Sequence, residues 1–303
     1  MRKFIKSFFF GNYFIGLLAI ALSVESCVQL RLPLNSFLYY IILFCTTVFY
    51  YTYAYLGPLN TGGPMNPRKE WYNKNHTFIL WSQRILFAVA TIAGIFFLQL
   101  HFTAIRNLPV VYWVAIAIIL LAGIFYYGLL PGAVYKISLR NTGWLKAFII
   151  GFVWACCANI LSYIIVQLEN GLHAAETILL VWLFVKNWMY CTVNAIIFDI
   201  KDYADDSNKQ LKTFVVRFGL RKTIFYILLP LIIVGLFSLV AFTTSHHYGF
   251  ITIGFNLIPF ILLIMIAWSM QKPHKILYYL VVIDGLIFLK ALCGIIGMQF
   301  IKS

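Results

Sequence analysis

Long apolar stretches, separated by short polar segments, follow one another along almost the whole chain. A helix needs about 20 apolar residues, at roughly 1.5 Å of rise per residue, to cross the hydrocarbon core of a bilayer. We therefore predict an all-α fold, a polytopic bundle of about nine transmembrane helices, with residues 1–303 forming a single membrane domain. The predicted spans lie at about 8–28, 36–56, 77–100, 108–129, 144–166, 175–198, 223–243, 250–271 and 276–300.

The composition also indicates lipid as the main solvent. Hydrophobic residues make up 62% of the chain and charged residues 11%, with a mean hydropathy of +0.89, whereas soluble domains are roughly half apolar and one quarter charged. A net charge of +14 would suggest nucleic acid in a soluble protein. Here the charges lie between the spans, so we exclude nucleic acid as a partner. The apolar run after Met1 lacks a small-residue cleavage site, which favours a first membrane helix over a signal peptide.

The distribution of Lys and Arg predicts the orientation. Seventeen of these 23 residues lie in the N-terminal segment and in every second loop after it, and three lie on the opposite side. Because excess positive charge stays in the cytoplasm, we predict a cytoplasmic N-terminus and an external C-terminus. The membrane we expect is a plasma membrane of the bacterial inner-membrane type.

Four of the nine acidic residues fall within eight positions at the end of the sixth predicted helix. On a helix, Asp199, Asp202 and Asp206 lie within one arc of about 60°, and Asp205 lies outside it. Three like charges on one face repel one another unless they share a cation. Mg²⁺ binds oxygen ligands, usually one or two carboxylates plus phosphate oxygens of a substrate. The cluster therefore predicts a Mg²⁺ and diphosphate site; the alternative is a solvated acidic loop.

The segment FDIKDYADDSNKQLKTFVVRFG (198–219) resembles the second aspartate-rich motif of the UbiA-type intramembrane prenyltransferases. The matching positions are Asp199, Asp202, Asp206, Thr213, Arg217 and Gly219. YYGLLPGAVYKISLRNTGWLKAFIIGFVWA (126–155) is similar to the basic loop and following helix of that family, and YYLVVIDGLIFL (278–289) to its final helix. The number of spans, their sidedness and the chain length agree as well.

The resemblance implies a Mg²⁺-dependent enzyme that moves a polyprenyl group from a prenyl diphosphate to a lipophilic or aromatic acceptor within the membrane. It implies that Asp199, Asp202 and Asp206 are the catalytic metal ligands. Metal and cationic side chains would stabilise the departing diphosphate. The candidate diphosphate contacts are Arg68, Lys69, Lys136, Arg140, Lys201, Lys212 and Arg217. The expected partners are the prenyl diphosphate, the acceptor and membrane lipid.

The first aspartate-rich motif of the family is absent. Its expected place reads YYTYAYLGPLNTGGPMNPRKEWYNKN (50–75), where Thr52 stands near the expected Asn and Glu70 is the only acid. Three hypotheses remain: an enzyme with one metal cluster, an enzyme in which lysine or arginine of this loop replaces one metal's charge, and a catalytically silent member that binds a prenyl lipid or acts as a scaffold. A transporter is disfavoured because repeated halves and broken central helices are not evident.

Three of the charged residues inside predicted spans, Lys186, Asp284 and Lys290, need their own explanation. Lys186 is predicted near mid-membrane, where it either faces a partner inside the bundle or extends to the interface. Asp284 and Lys290 share the last helix but lie six residues apart, on different faces, so we expect each to have a separate partner.

Overall fold

The computed structural model describes residues 2–56, 67–127, 142–171, 176–208, 210–272 and 274–300. All regular structure in these ranges is helical, which confirms the predicted all-α class. The helices are α1 (Arg2–Phe10), α2 (Tyr13–Gln29), α3 (Phe37–Leu56), α4 (Pro67–Lys74), α5 (His76–Leu100), α6 (Phe102–Arg106), α7 (Val110–Tyr127), α8 (Leu145–Asn170), α9 (Thr177–Lys201), α10 (Tyr203–Asn208), α11 (Phe214–Phe218), α12 (Leu220–Ser245), α13 (Phe250–Ser269) and α14 (Ile276–Met298).

Among the described residues, each predicted span after the first coincides with one helix. Within the described residues, six helices are long and apolar enough to cross a membrane, namely α5, α8, α9, α12, α13 and α14. The bent pair α1 and α2 makes a seventh if it is one span, and the apolar stretches Phe37–Tyr53 and Val110–Tyr126 are shorter. The chain is therefore an integral membrane protein, and the number nine stays a prediction.

The first predicted span is not one straight helix. It breaks between α1 and α2, whose axes are bent by 60°. Asn12 adopts a left-handed backbone conformation at the break, with φ of 64°. A Cβ on Gly11 would lie 2.6 Å from the carbonyl oxygen of Ser7, so the close approach requires glycine there. The apolar pattern gave no signal of this break because the residues on its two sides, Phe8–Phe10 and the start of α2, are apolar.

The helices differ in how much of their surface faces the protein. In the most apolar stretch of α9, 61% of the residues are buried, and 56% in α14, against 22% in α5. The main core joins α2, α9, α12, α13 and α14 around fully buried side chains such as Leu18, Ile196 and Ile283. The outer helices leave large apolar side chains exposed, as expected for surfaces in contact with lipid. Three of the core helices carry buried charged side chains: Glu25 on α2, Lys186 and Asp199 on α9, and Asp284 and Lys290 on α14.

Helices α8 and α9 pack together closely, and a glycine makes this possible. A Cβ on Gly151 would lie 2.2 Å from the Thr192 hydroxyl and 2.8 Å from both the Thr192 nitrogen and the Trp188 carbonyl oxygen. Small residues allow such backbone contact between membrane helices. The contact sets the distance between the two helices that carry the site described below.

We expect Gly151→Ala to lower stability by about 1–3 kcal/mol, because the added methyl group would force α8 away from α9. The measurement is the thermal midpoint in detergent. Gly94→Ala is the matched control, since a Cβ there meets nothing within 4 Å. Equal midpoints for the two variants would contradict the proposed role of Gly151.

Candidate functional site

The predicted aspartates lie where α9 ends and α10 begins. Asp199 is in the last turn of α9, Asp202 directly follows that helix, and Asp206 is in α10. Helical hydrogen bonding continues across the junction, since Asp202 N–H donates to the Phe198 carbonyl (3.2 Å) and Asp206 N–H to the Asp202 carbonyl (2.8 Å). Residues seven positions apart therefore remain on the same side, and both Asp199 and Asp206 are buried.

Lys146 brings these two carboxylates together. Its Nζ lies 2.7 Å from Asp199 Oδ1 and 3.6 Å from Asp206 Oδ2. The three side chains are 11%, 2% and 8% exposed, respectively, so the contact is shielded from water. Charge-assisted contacts of this kind are stronger in a shielded site than at a surface. Lys146 is not among the candidate site residues that the sequence predicted.

Asp202 does not join that contact. Its Oδ1 lies 2.7 Å from Lys201 Nζ, and its side chain is 41% exposed. No group of three or more His, Cys, Asp or Glu side chains among the described residues is arranged to hold a metal ion. The structure thus brings together two of the three predicted metal ligands and places the third at the rim of the site.

The segment after α10 packs against the turn that precedes α8. Gly143, with φ of 69°, approaches the backbone of Lys212 so closely that a Cβ would lie 2.6 Å from the Lys212 carbonyl oxygen. Thr213, which precedes α11, is fully buried, and its hydroxyl has no hydrogen-bond partner among the described residues. The turn before α8 and the segment that follows the aspartates are therefore fixed against each other.

The predicted diphosphate contacts lie in different environments. Lys212 and Arg217 are exposed, and Lys201 pairs with Asp202. Lys69 is half-buried on α4. Lys136 and Arg140 fall outside the described residues. The exposed cations are available to an anion that approaches from the polar end of the bundle.

Arg68 is committed to the break between α1 and α2. Its guanidinium donates to the Phe10 carbonyl (3.2 and 2.9 Å), to Asn12 Oδ1 (2.5 Å) and to the Tyr55 hydroxyl (2.9 Å). Burial alone would lower the pKa of Arg68, but Tyr55, Tyr72 and Asp284 favour the charged form, and the net effect raises its pKa. These contacts satisfy a carbonyl that the helix break leaves without a helical partner.

Thr52, near the expected position of the first motif, takes part in the same network. Its hydroxyl accepts a hydrogen bond from Asn12 Nδ2 (3.1 Å), and the same amide donates to the Tyr72 hydroxyl (3.3 Å). Tyr72 in turn donates to the Phe10 carbonyl (2.9 Å), and burial raises the pKa of Tyr72 to about 12. The described part of this region thus holds the N-terminal helix break together.

A second charged cluster lies deep in the bundle, about 20 Å from Asp199 along α9. Lys290 Nζ lies 2.6 Å from Glu25 Oε2 and also contacts Asn187. Lys186 Nζ donates to Gln29 Oε1 (3.0 Å) and lies 3.8 Å from Glu25 Oε1. The cluster confirms that Lys290 has a partner other than Asp284, and it shows that Lys186 points into the bundle. Sequence reasoning missed Glu25, although an acid inside an apolar span is itself a signal.

Two features test whether the aspartate site suits a magnesium ion. Asp199 Oδ2 is buried and has no hydrogen-bond partner among the described residues. Asp199 and Asp206 also converge on one cationic group, the Lys146 ammonium. Carboxylate oxygens are the ligands that Mg²⁺ prefers, and one or two of them suffice when phosphate oxygens complete the shell. The donor set therefore fits this ion.

The fold and the site together define a polytopic helical membrane protein with a shielded carboxylate and lysine site at one end of its bundle. The family model described as the UbiA prenyltransferase family matches residues 80–282, well over half of the 303 residues. The chain belongs to this family. No curated protein and no solved structure matches it. Family membership suggests an intramembrane prenyltransferase, and the matched range includes Lys146 and all the aspartates of the site.

Proposed function

We propose that this protein transfers a polyprenyl group from a prenyl diphosphate to a lipophilic or aromatic acceptor, with Mg²⁺ as cofactor. The observation that carries the proposal is the convergence of Asp199 and Asp206 at one end of a membrane bundle in a chain of this family. A diphosphate at this end would be near water while its tail extends among apolar helices. We further propose that the 303 residues form one membrane domain with this end in the cytoplasm.

The chemistry assigned to the site is a substitution at an allylic carbon. The bond between that carbon and the bridging oxygen breaks, and diphosphate leaves with the electron pair. A new bond forms to the acceptor, which loses a proton. Asp199 and Asp206 would hold Mg²⁺, which when bound supplies positive charge for the diphosphate oxygens. Asp202, at the rim, is proposed to complete the metal shell or to orient Lys201.

The cationic side chains differ in how directly they would contact the diphosphate. Lys212 and Arg217 are exposed and would bind the diphosphate as it arrives, together with Lys136 and Arg140 of the preceding loop. Lys69 and Lys201 would contribute charge at the rim. Arg68 is already fully engaged with the backbone of the helix break, so we expect its contribution to the diphosphate to be indirect.

A catalytically silent member that binds a prenyl lipid or acts as a scaffold is the second candidate. The observation that favours it is the use of Thr52 and Arg68 for structural hydrogen bonds at the place where the family's first motif would stand. Such a protein would bind the diphosphate without turnover.

We expect a labelled prenyl diphosphate to bind the detergent-purified protein only when Mg²⁺ is present. Combined Asp199→Ala and Asp202→Ala substitution should remove this binding, because the metal ligands are lost. The measurement is retention of label across a series of chain lengths. Glu70→Gln is the control, since this acid is exposed and its ion pair with Lys74 lies at the surface.

The outcomes separate the candidates. Mg²⁺-dependent binding followed by transfer to a membrane extract supports the enzyme, whereas binding without transfer supports the silent member. If binding is equal with and without Mg²⁺, and equal in the double variant, the aspartates do not contribute to the diphosphate site. Failure of every chain length to bind would overturn the enzyme and would favour a scaffold that no longer binds a prenyl diphosphate.

A further inference from the structure

Lys146 has an unusual position for a residue at the polar end of a membrane helix. Its ammonium is shielded from water and lies between two carboxylates, at 2.7 Å from Asp199 and 3.6 Å from Asp206. The three side chains come from three different helices, α8, α9 and α10. Their formal charges add to −1, whereas the two carboxylates alone would carry −2. Lys146 therefore already neutralises part of the charge that would otherwise attract a metal ion.

The surrounding backbone holds Lys146 in this place. Its N–H donates to the Gly143 carbonyl (3.2 Å), in the turn that packs against Lys212. Gly151, five residues further along α8, sets the close approach to α9. The chain on both sides of Lys146 is thus held by a glycine whose Cβ atom, if it were present, would clash with neighbouring atoms. A lysine on a freely moving loop would instead extend into water.

Asp199 keeps one oxygen for another ligand. Its Oδ1 contacts Lys146, while Oδ2 is buried with no hydrogen-bond partner among the described residues. A buried carboxylate oxygen without a donor or cation is unfavourable, because it has lost its water without replacement. The site thus contains one cation, the Lys146 ammonium, and one carboxylate oxygen that can still bind a second cation.

We propose that Lys146 is a built-in cation that takes over the charge of one metal ion in this site, so that one Mg²⁺ at the open side of Asp199 is sufficient. The inference rests on the proposed function and deepens it. The first aspartate-rich motif is missing from the 50–75 segment. In this proposal a lysine on α8, outside that segment, supplies positive charge in place of the metal ion that the missing motif would bind. Lys146 is a positioning residue here, because it acts through the carboxylates of Asp199 and Asp206.

The test is a Mg²⁺ concentration series on the full-length protein in detergent, without any diphosphate, followed by thermal midpoint. We expect Lys146→Gln to reach half of its maximal stabilisation at a Mg²⁺ concentration at least about tenfold lower than the wild type, because the site then carries one more negative charge. Lys146→Arg keeps the charge and should match the wild type. Adding Asp199→Asn to Lys146→Gln should abolish the gain, which locates the ion at this site.

Each outcome decides the matter. A folded Lys146→Gln that binds Mg²⁺ no more tightly than the wild type overturns the proposal. If Lys146→Gln is recovered folded only in millimolar Mg²⁺, the ion has replaced the lysine, and the proposal is supported. Aggregation of this variant both with and without Mg²⁺ contradicts the proposal. Because no prenyl diphosphate is added, a negative result here is distinct from a failure of the proposed transferase activity.

Discussion

Glu25→Gln is expected to lose most of the folded protein. The substitution leaves Lys186 and Lys290 as two buried ammonium groups without a carboxylate, inside the packed helices α9 and α14. Glu25 itself is fully buried. Removing one partner of a buried ion pair costs about 3–5 kcal/mol, because the remaining charge is neither solvated nor paired. The measurement is the thermal midpoint and the monodisperse fraction in gel filtration.

The two lysines of this cluster should respond differently. Lys290 lies 2.6 Å from Glu25, whereas Lys186 lies 3.8 Å away and mainly contacts amide oxygens. Lys186→Met would leave a neutral Glu25 and Lys290 pair, so we expect a much smaller loss than for Lys290→Met. Glu176→Gln is the control, since that carboxylate is 56% exposed. A loss for Lys186→Met as large as that for Glu25→Gln would show that the cluster works as one indivisible unit.

The length of the apolar stretches was sufficient to locate the long helices, because the bilayer imposes a minimum number of apolar residues on each span. The fifth predicted span at 144–166 and the sixth at 175–198 correspond to Leu145–Asn170 and Thr177–Lys201. The break at Gly11 and Asn12 was missed for a physical reason. It depends on a left-handed residue and on hydrogen bonds from Arg68, which lies more than fifty positions away.

The aspartate cluster could also be found from the sequence, because acids are rare in this chain and their helical spacing is local. The lysine that pairs with these aspartates could not be found in this way. Lys146 meets Asp199 only because α8 and α9 pack closely along their length, and nothing in the spacing of the two residues reports that. The same holds for Glu25 and Lys290, which are 265 positions apart. Long-range charge pairing is set by helix packing, which an apolar pattern leaves undetermined.

Arg68 shows a second kind of contact that the residue pattern does not report. A basic residue beside a predicted anion site is an obvious candidate contact, but the main partner of Arg68 is a backbone carbonyl at Phe10. Backbone partners of this kind leave no mark in the residue pattern. The prediction that Arg68 binds diphosphate directly therefore has weaker geometric support than the same prediction for Lys212, which is exposed.

Asp199→Asn is expected to lower prenyl transfer by about 100-fold or more while the protein stays folded. The amide keeps the shape of the side chain but removes the negative charge that would hold Mg²⁺, and the loss of such electrostatic stabilisation typically has effects of this size. The measurement is Mg²⁺-dependent transfer of a labelled prenyl group, with native membranes as the source of acceptor. The thermal midpoint of the same preparation reports on folding.

The geometry also ranks the aspartates. Asp206→Asn should resemble Asp199→Asn because both carboxylates contact Lys146, whereas Asp202→Asn should have a smaller effect because that side chain is 41% exposed and pairs with Lys201. Glu70→Gln, which changes an exposed acid on α4, should leave transfer unchanged. If Asp202→Asn proved the most damaging of the three, the metal would sit at the rim of the bundle, and the Lys146 contact would serve folding alone. Full activity of Asp199→Asn would show that the buried carboxylates take no part in the reaction.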